Sequence, residues 1–274
     1  MNGGGRAQRD LRKAALAAAR SESPAARGEI GMRARMIGLR SGMRGAGPAL
    51  VLFHQSPLSS RDLVATIERW QPYFTCIAPD TPGYGLSDPI GAGPLEMSEI
   101  ARASIEVLDA LGIDKAAVYG FHTGAMIAAA VAEAYPGRVS CAVSNGFVVM
   151  DEPERADILA NYLPPFVPSW DGAHLAWLWS RLREQTIFFP WYSKRSEDRL
   201  DYDLPAPAAL QGALLDFLRA GDRYRHAYRA AFAMRSQETL ARMRSPLLVT
   251  ASSTDDGTGS RERARHHCSA LARA

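Results

Sequence analysis

Short apolar runs alternate with longer stretches of helical spacing along the chain from Gly47 onward. The apolar runs lie at residues 49–53, 76–79, 116–120 and 139–145, and none of them alternates with polar positions. The stretches of helical spacing lie at residues 60–71, 98–111 and 123–135. Buried strands that are each followed by a helix are typical of a parallel sheet with helices on both faces, so we predict an α/β fold of this kind.

The stretch at residues 98–111 carries the clearest helical pattern. Its apolar positions recur on one face of a helix, at Ile100, Ile105, Leu108 and Leu111. Gly112 follows directly and predicts the helix end. In a parallel sheet, ligands bind where the strands end, so we expect function in the loops that follow Phe53, Pro79, Gly120 and Asn145.

The rhythm of strands and helices breaks at Asp151. Residues 151–244 show no strand pattern and carry four of the five tryptophans, Trp170, Trp177, Trp179 and Trp191. The apolar run at residues 246–251 then restores the strand pattern. We therefore predict a helical cap at residues 151–244, inserted into a core formed by residues 30–150 and 245–274. Residues 1–29 are rich in arginine and alanine, and we expect them to form a flexible extension.

Composition narrows the classes of function. The chain has 274 residues, 47% of them apolar, and a net charge of +3, with arginines spread along its length rather than clustered as in a nucleic-acid-binding face. Its three cysteines lie far apart, without the spacing of a disulfide framework or a zinc site. No apolar run is long enough to span a membrane. We expect a cytoplasmic protein that acts on a small molecule, without nucleic acid, membrane, metal or cofactor, and the oligomeric state stays open.

Three motifs occur in order along the core. They are FHQSP at residues 53–57, DTPGYGLSD at residues 80–88, and YGFHTGA at residues 119–125. Together they resemble the α/β-hydrolase superfamily, whose nucleophile elbow has the form G-x-S-x-G between a strand and a helix. The resemblance extends over about residues 47–256 and implies the α/β-hydrolase fold, with the cap inserted after the sixth strand. The chain departs from the family at two positions, because His122 replaces the elbow serine and Gln55 replaces the usual glycine after His54.

Four interpretations of His122 are open. The imidazole could be a general base that activates water, or a nucleophile that forms a labile acyl-imidazole. It could instead share a metal with His54, since the strands before these two residues should be neighbours. In the fourth interpretation the elbow is inactive and the protein only binds a ligand. A lyase-type enzyme in which His122 moves protons is a further, non-hydrolytic possibility.

The resemblance also assigns roles to other residues. It implies an oxyanion hole from backbone amides near Gln55, Ser56 and Thr123, beside His54. Asp255 matches the carboxylate that follows the seventh strand of the family, with Asp256 next to it, and Asp151 is an alternative acid.

Three further residues, Asp80, His174 and Trp177, are expected near the motifs or in the cap. We expect Asp80 to brace its own glycine turn. His174 and Trp177 could face the cleft from the cap, although a packed or surface role for His174 fits the pattern at least as well.

The last residues read SRERARHHCSALARA and resemble the helix that precedes the eighth strand of the family. His266 and His267 lie on this predicted helix. The final strand and the histidine of the family's triad are therefore expected to be missing from this sequence. We predict hydrolysis of a small apolar ester, amide or lactone through His122, with a ligand-binding protein as the opposing hypothesis.

Overall fold

One parallel sheet forms the centre of the molecule. The computed structural model describes residues 47–200 and 203–250. Within them lie the strands β1 (Ala49–Phe53), β2 (Thr75–Ile77), β3 (Ala116–Phe121), β4 (Val139–Asn145) and β5 (Leu247–Thr250). All neighbouring strands pair in parallel, in the order β2-β1-β3-β4-β5. The predicted α/β class is confirmed.

Strand β1 is buried on both of its faces. Val51 and Phe53 belong to the larger of two apolar clusters, whereas Leu50 and Leu52 belong to the smaller one. Successive side chains of a strand point to opposite faces, so the alternation places one cluster on each side of the sheet. A strand that is apolar at every position therefore needs cover on both faces, which the helices provide.

The helices of the core follow the strands as the sequence predicted. They are α1 (Val64–Trp70), α2 (Met97–Ala110) and α3 (Thr123–Ala134). A 3₁₀ turn at Ser60–Leu63 precedes α1, so the predicted helical stretch at residues 60–71 divides into two elements. Gly112 follows the end of α2 at φ 65°, a conformation that a side chain disfavours, which accounts for the glycine at the helix end.

Five helices lie between β4 and β5 in the described residues. They are α4 (Glu152–Asn161), α5 (Ala173–Gln185), α6 (Pro207–Ala220), α7 (Tyr224–Ala233) and α8 (Ser236–Ala241). We call residues 151–244 the helical insertion. It is bound to the core by buried hydrogen bonds, among them Ser59 Oγ to Asp216 Oδ2 at 2.9 Å and Tyr84 Oη to the Tyr224 carbonyl at 2.5 Å.

The sheet order places two loops at one crevice. Strand β1 lies between β2 and β3, so the chain leaves β1 towards one edge of the sheet for β2 and crosses to the other side for β3. The loops after β1 and β3 therefore diverge at a topological switch point, where α/β sheets bind their ligands. Phe53 pairs with Gly120 in the register, so His54 and His122 follow neighbouring strand ends.

Several predictions fall outside the described residues. They concern the extension at residues 1–29, Asp255 and Asp256, and the predicted helix with His266 and His267. Within the described part of the chain, no helix is long and apolar enough to cross a membrane.

Candidate active site

His122 occupies a sharp turn between β3 and α3. Its backbone has φ 48° and ψ −111°, and it is the one non-glycine residue with positive φ among the described residues. A side chain in this conformation costs about 1–3 kcal/mol and persists only where the surrounding structure imposes it. The turn thus holds the imidazole at the crevice at the expense of stability.

Two glycines allow this turn to form. A Cβ at Gly120 would stand 1.8 Å from the Gly124 carbonyl oxygen, and a Cβ at Gly124 would stand 2.1 Å from the Phe53 carbonyl oxygen. Neither position has space for a side chain. The start of α3 therefore packs directly on the end of β1, as the elbow motif requires.

The imidazole of His122 is half-buried between two neighbours. Its ring centroid lies 4.1 Å from that of Phe121, and a Cβ at Gly146 would stand 3.0 Å from its Nδ1. The backbone N–H of His122 donates to the Asn145 carbonyl at 2.9 Å. The ring is therefore held by β3 on one side and by the loop after β4 on the other.

His54 is a buried structural residue of the loop at residues 54–58, which we call the β1 loop. Its Nε2 accepts a 3.0 Å hydrogen bond from the Thr81 N–H, so Nδ1 carries the proton and donates to the Gln55 carbonyl at 2.8 Å. Burial lowers the pKa of His54, which favours this neutral form, while the Gln55 bond and nearby carboxylates oppose the shift. Both nitrogens are engaged, which leaves no lone pair for a metal shared with His122. No group of three potential metal ligands occurs among the described residues.

The family resemblance predicts an oxyanion hole from the backbone amides near Gln55 and Thr123. Thr123 is the first residue of α3, where an N–H has no partner within the helix. In the described part of the chain, neither amide donates to another backbone carbonyl outside helices and strands. The contact of Gly124 with the Phe53 and His54 carbonyls brings the start of α3 against the β1 loop. The structure thus brings the two segments that carry these amides together, and the oxyanion hole itself stays a prediction.

Asp62 joins this group although the sequence analysis did not single it out. Its Oδ2 accepts a 3.2 Å hydrogen bond from Gln55 Nε2. Desolvation by the surrounding protein raises the pKa of Asp62, although part of the side chain reaches solvent. The Gln55 bond and the imidazoles of His54 and His122 oppose this shift, while Asp216 adds to it. Asp62 is an exposed residue, and the influence of His122 is the smallest of those that act on its pKa.

Two acids that the sequence analysis singled out, Asp80 and Asp151, lie within the described residues and form structural hydrogen bonds there. Asp80 is buried and accepts from the backbone N–H groups of Ser60 at 2.7 Å and Leu86 at 2.8 Å. A Cβ at Gly85 would stand 2.2 Å from its Oδ2, so Asp80 braces its glycine turn as expected. Asp151 caps α4, because its Oδ1 accepts from the Glu154 N–H at 2.9 Å.

Comparison of the sequence with known protein families supports the α/β-hydrolase resemblance. A family model described as the alpha/beta hydrolase fold matches residues 48–255. The chain belongs to the α/β-hydrolase family. Haloalkane dehalogenase 2 of Mycobacterium bovis is 37% identical over 99 residues, which cover 35% of this chain and 33% of that protein. The same protein of Mycobacterium tuberculosis matches equally. The match thus spans only about a third of the length of these curated relatives.

Solved structures of other proteins superpose on most of the chain. The enol-lactonase of Burkholderia xenovorans LB400 has a TM-score of 0.61 at 18% identity and covers 87% of this chain and 84% of its own. Epoxide hydrolase A of Mycobacterium thermoresistibile has a TM-score of 0.58 at 20% identity, with 76% of each chain covered. At this level of identity, the likeness concerns the fold.

Two further predicted residues of this α/β-hydrolase, His174 and Trp177, lie in the helical insertion, whereas Ser56 is buried in the β1 loop. His174 Nδ1 accepts from the Ser169 N–H at 3.0 Å, and its ring lies 5.8 Å from that of Phe166. Trp177 stacks on Phe166 at 6.2 Å and is 37% exposed. These contacts lie within the insertion and order the segment before α5, which agrees with a packed role for His174.

Proposed function

We propose that this protein hydrolyses a small, apolar ester, amide or lactone, with His122 as general base or nucleophile. The observation that supports this most is the strained backbone of His122, at φ 48° in an elbow whose flanking glycines admit no side chain. Strain of this kind is concentrated at functional sites. The turn presents an imidazole where the family presents its serine, and an imidazole can move protons near neutral pH.

As a general base, His122 takes a proton from water while the water oxygen attacks the carbonyl carbon. The carbonyl electron pair moves onto oxygen, and the amides of Gln55 and Thr123 stabilise the resulting oxyanion. When the carbonyl re-forms, the bond to the leaving group breaks and the imidazolium returns its proton to that group. As a nucleophile, the imidazole would itself form the bond to the carbonyl carbon, and the bond to the leaving group would break as that group takes the proton that the imidazole loses. Water would then cleave the acyl-imidazole, which releases the acid and restores the neutral imidazole.

A carboxylate near the imidazole would favour its protonated form during either reaction. Asp255 and Asp151 remain predictions for this role from the family resemblance. A further candidate is Asp62, whose Oδ2 accepts a 3.2 Å hydrogen bond from Gln55 Nε2 and whose pKa is affected, though least of all, by His122. We propose that Asp62 contributes to the charge balance of the site, because like the oxyanion donor Gln55 it belongs to the segment that follows β1.

The helical insertion would serve as the cap over this crevice. It contributes a dense group of aromatic side chains around Tyr162, whose ring lies within 6.4 Å of five others, Phe189, Trp191, Tyr192, Tyr228 and Phe232. Tyr162, Tyr228 and Phe232 are themselves buried, so this group forms the apolar interior of the insertion.

The test is hydrolysis by purified, folded protein of a panel of short and medium acyl esters, with a lactone and an anilide. An epoxide and a haloalkane are included because relatives carry those names. We expect turnover of an acyl compound that His122→Ala removes and that His226→Gln, a control in the insertion, leaves intact. If no compound turns over but one raises the melting temperature, the protein binds ligands without catalysis.

A further inference from the structure

Tyr228 of α7 reaches from the helical insertion to the β1 loop. Its hydroxyl donates a buried 2.7 Å hydrogen bond to the Ser56 carbonyl, across 172 positions of sequence. Ser56 is the residue after Gln55, whose amide we place in the oxyanion hole. A contact made by the insertion therefore acts two peptide groups along the chain from a proposed catalytic donor.

The hydrogen bonds that connect Arg181 through Gln185 to Tyr228 have a fixed donor-to-acceptor direction. Arg181 Nη1 donates to Gln185 Oε1 at 2.9 Å, and Gln185 Nε2 donates to the Tyr228 oxygen at 3.0 Å. A guanidinium can only donate, so Gln185 must accept through its oxygen and donate through its nitrogen. The Tyr228 oxygen receives that bond, and its own proton is directed to the Ser56 carbonyl. Burial also raises the pKa of Tyr228, which keeps the hydroxyl protonated.

Arg181, at the start of this series, is immobilised by aromatic rings. It is 1% exposed, and its guanidinium carbon lies 5.0–5.8 Å from the ring centroids of Tyr162, Trp191, Phe217 and Tyr224. Cation–π contacts are stronger for a desolvated guanidinium than for an exposed one. The donor that orients Gln185 is thus held by α5, α6, α7 and the segment around Trp191.

The β1 loop is fixed at two successive carbonyls. The Gln55 carbonyl accepts from His54 Nδ1 at 2.8 Å and from the Leu58 N–H at 3.1 Å, and the Ser56 carbonyl accepts from Tyr228. We propose that Tyr228 is a positioning residue, which holds the Ser56 carbonyl so that the Gln55 amide keeps its direction towards the oxyanion. This proposal rests on the proposed hydrolytic function.

The variant Tyr228→Phe removes only the hydroxyl and leaves the ring in place. Its matched control is Tyr224→Phe on the same helix, because the Tyr224 hydroxyl donates at 2.6 Å to the Pro164 carbonyl, within the insertion. We expect Tyr228→Phe to lower kcat about a hundredfold with little change in KM, as for a displaced catalytic donor. Tyr224→Phe should retain the wild-type kcat. Equal losses in both variants, or a change in KM alone, would overturn the proposal.

Amide hydrogen exchange of residues 54–59 provides a readout that does not depend on turnover. Tyr228→Phe should speed exchange in this segment at least tenfold, whereas Tyr224→Phe should not. Unchanged exchange in Tyr228→Phe would overturn the positioning role even if the enzyme is active. If the wild type turns over no acyl compound, the hydrolytic function fails, and the exchange measurement still decides whether Tyr228 holds the loop.

Discussion

Gly146 lies against the imidazole of His122, so closely that a Cβ at position 146 would stand 3.0 Å from Nδ1 and 3.2 Å from Cε1. Gly146 has φ 70°, and its N–H donates to the Thr250 carbonyl at 2.8 Å. The loop after β4 is thus anchored to the end of β5 and forms one wall of the imidazole site. The position of the ring is set by the sheet itself, through the ends of β3, β4 and β5.

The backbone strain at His122 predicts an unusual order of stability among its variants. Both His122→Ala and His122→Gly remove the imidazole, but only glycine adopts φ 48° without a steric cost. We expect the glycine variant to have a free energy of unfolding about 1 kcal/mol higher than the alanine variant, after allowance for the entropy of glycine in the unfolded chain. Urea unfolding of the two proteins measures the difference. Alanine as the more stable variant would show that the turn is not strained.

Close packing at the elbow predicts that a single added methyl group strongly lowers the free energy of unfolding. Gly124→Ala places Cβ 2.1 Å from the Phe53 carbonyl oxygen, so α3 must move from β1, at a cost of about 3 kcal/mol or more. The matched control is Gly212→Ala on α6, where an added Cβ meets nothing within 4 Å. That variant should gain about 0.5–1 kcal/mol from helix propensity. Similar unfolding midpoints for the two variants would contradict the packing described here.

The charge state of Asp62 predicts a pH-dependent stability. Desolvation by the surrounding protein raises the pKa of Asp62 above 3.8 although the residue is exposed, so the folded state binds a proton more tightly than the unfolded chain. Its contribution to stability is then greatest at low pH and falls as pH rises through the folded pKa. Asp62→Asn should be more stable than wild type at pH 7, and the gap should close towards pH 3.8. Thermal unfolding of both proteins between pH 3.8 and pH 7 measures this difference in stability. A difference that does not vary with pH would contradict the raised pKa of Asp62.

The lowered pKa of His54 predicts that stability changes with pH in the opposite direction. Burial lowers its pKa below 6.5, so below that pH the unfolded chain binds a proton that the folded state refuses. Stability should therefore fall as pH decreases from 6.5, and NMR of the imidazole nitrogens should show neutral His54 with the proton on Nδ1 at pH 6. His226, whose pKa is also lowered by burial, contributes a similar slope, and His226→Gln separates the two. Titration of His54 at its ordinary pKa would contradict the hydrogen bonds to Thr81 and Gln55.

The sequence predicts the sheet and the elbow because both depend on local patterns. All five described strands lie within the predicted apolar runs or one residue beyond them, and α2 and α3 begin and end within one residue of prediction. The role of Asp80 could also be predicted, because its turn partners lie within seven positions.

The contacts of Tyr228, Arg181 and Asp62 could not be predicted in this way. Tyr228 meets Ser56 across 172 positions, and nothing in the local pattern of α7 distinguishes it from other aromatic residues. Arg181 lies on a helix whose sequence favours a solvated arginine, and only tertiary packing buries it. Asp62 belongs to a segment with helical spacing, which hides its hydrogen bond to Gln55.

The turnover number of His122→Gly on the best acyl substrate tests the central claim most directly. This variant keeps the elbow backbone without strain and removes only the imidazole, so a loss of activity cannot be assigned to unfolding. We predict a fall in kcat of about a hundredfold or more, the usual contribution of a general base or nucleophile. A His122→Gly protein that hydrolyses the substrate as fast as wild type would contradict the account, because the imidazole would then have no part in the reaction.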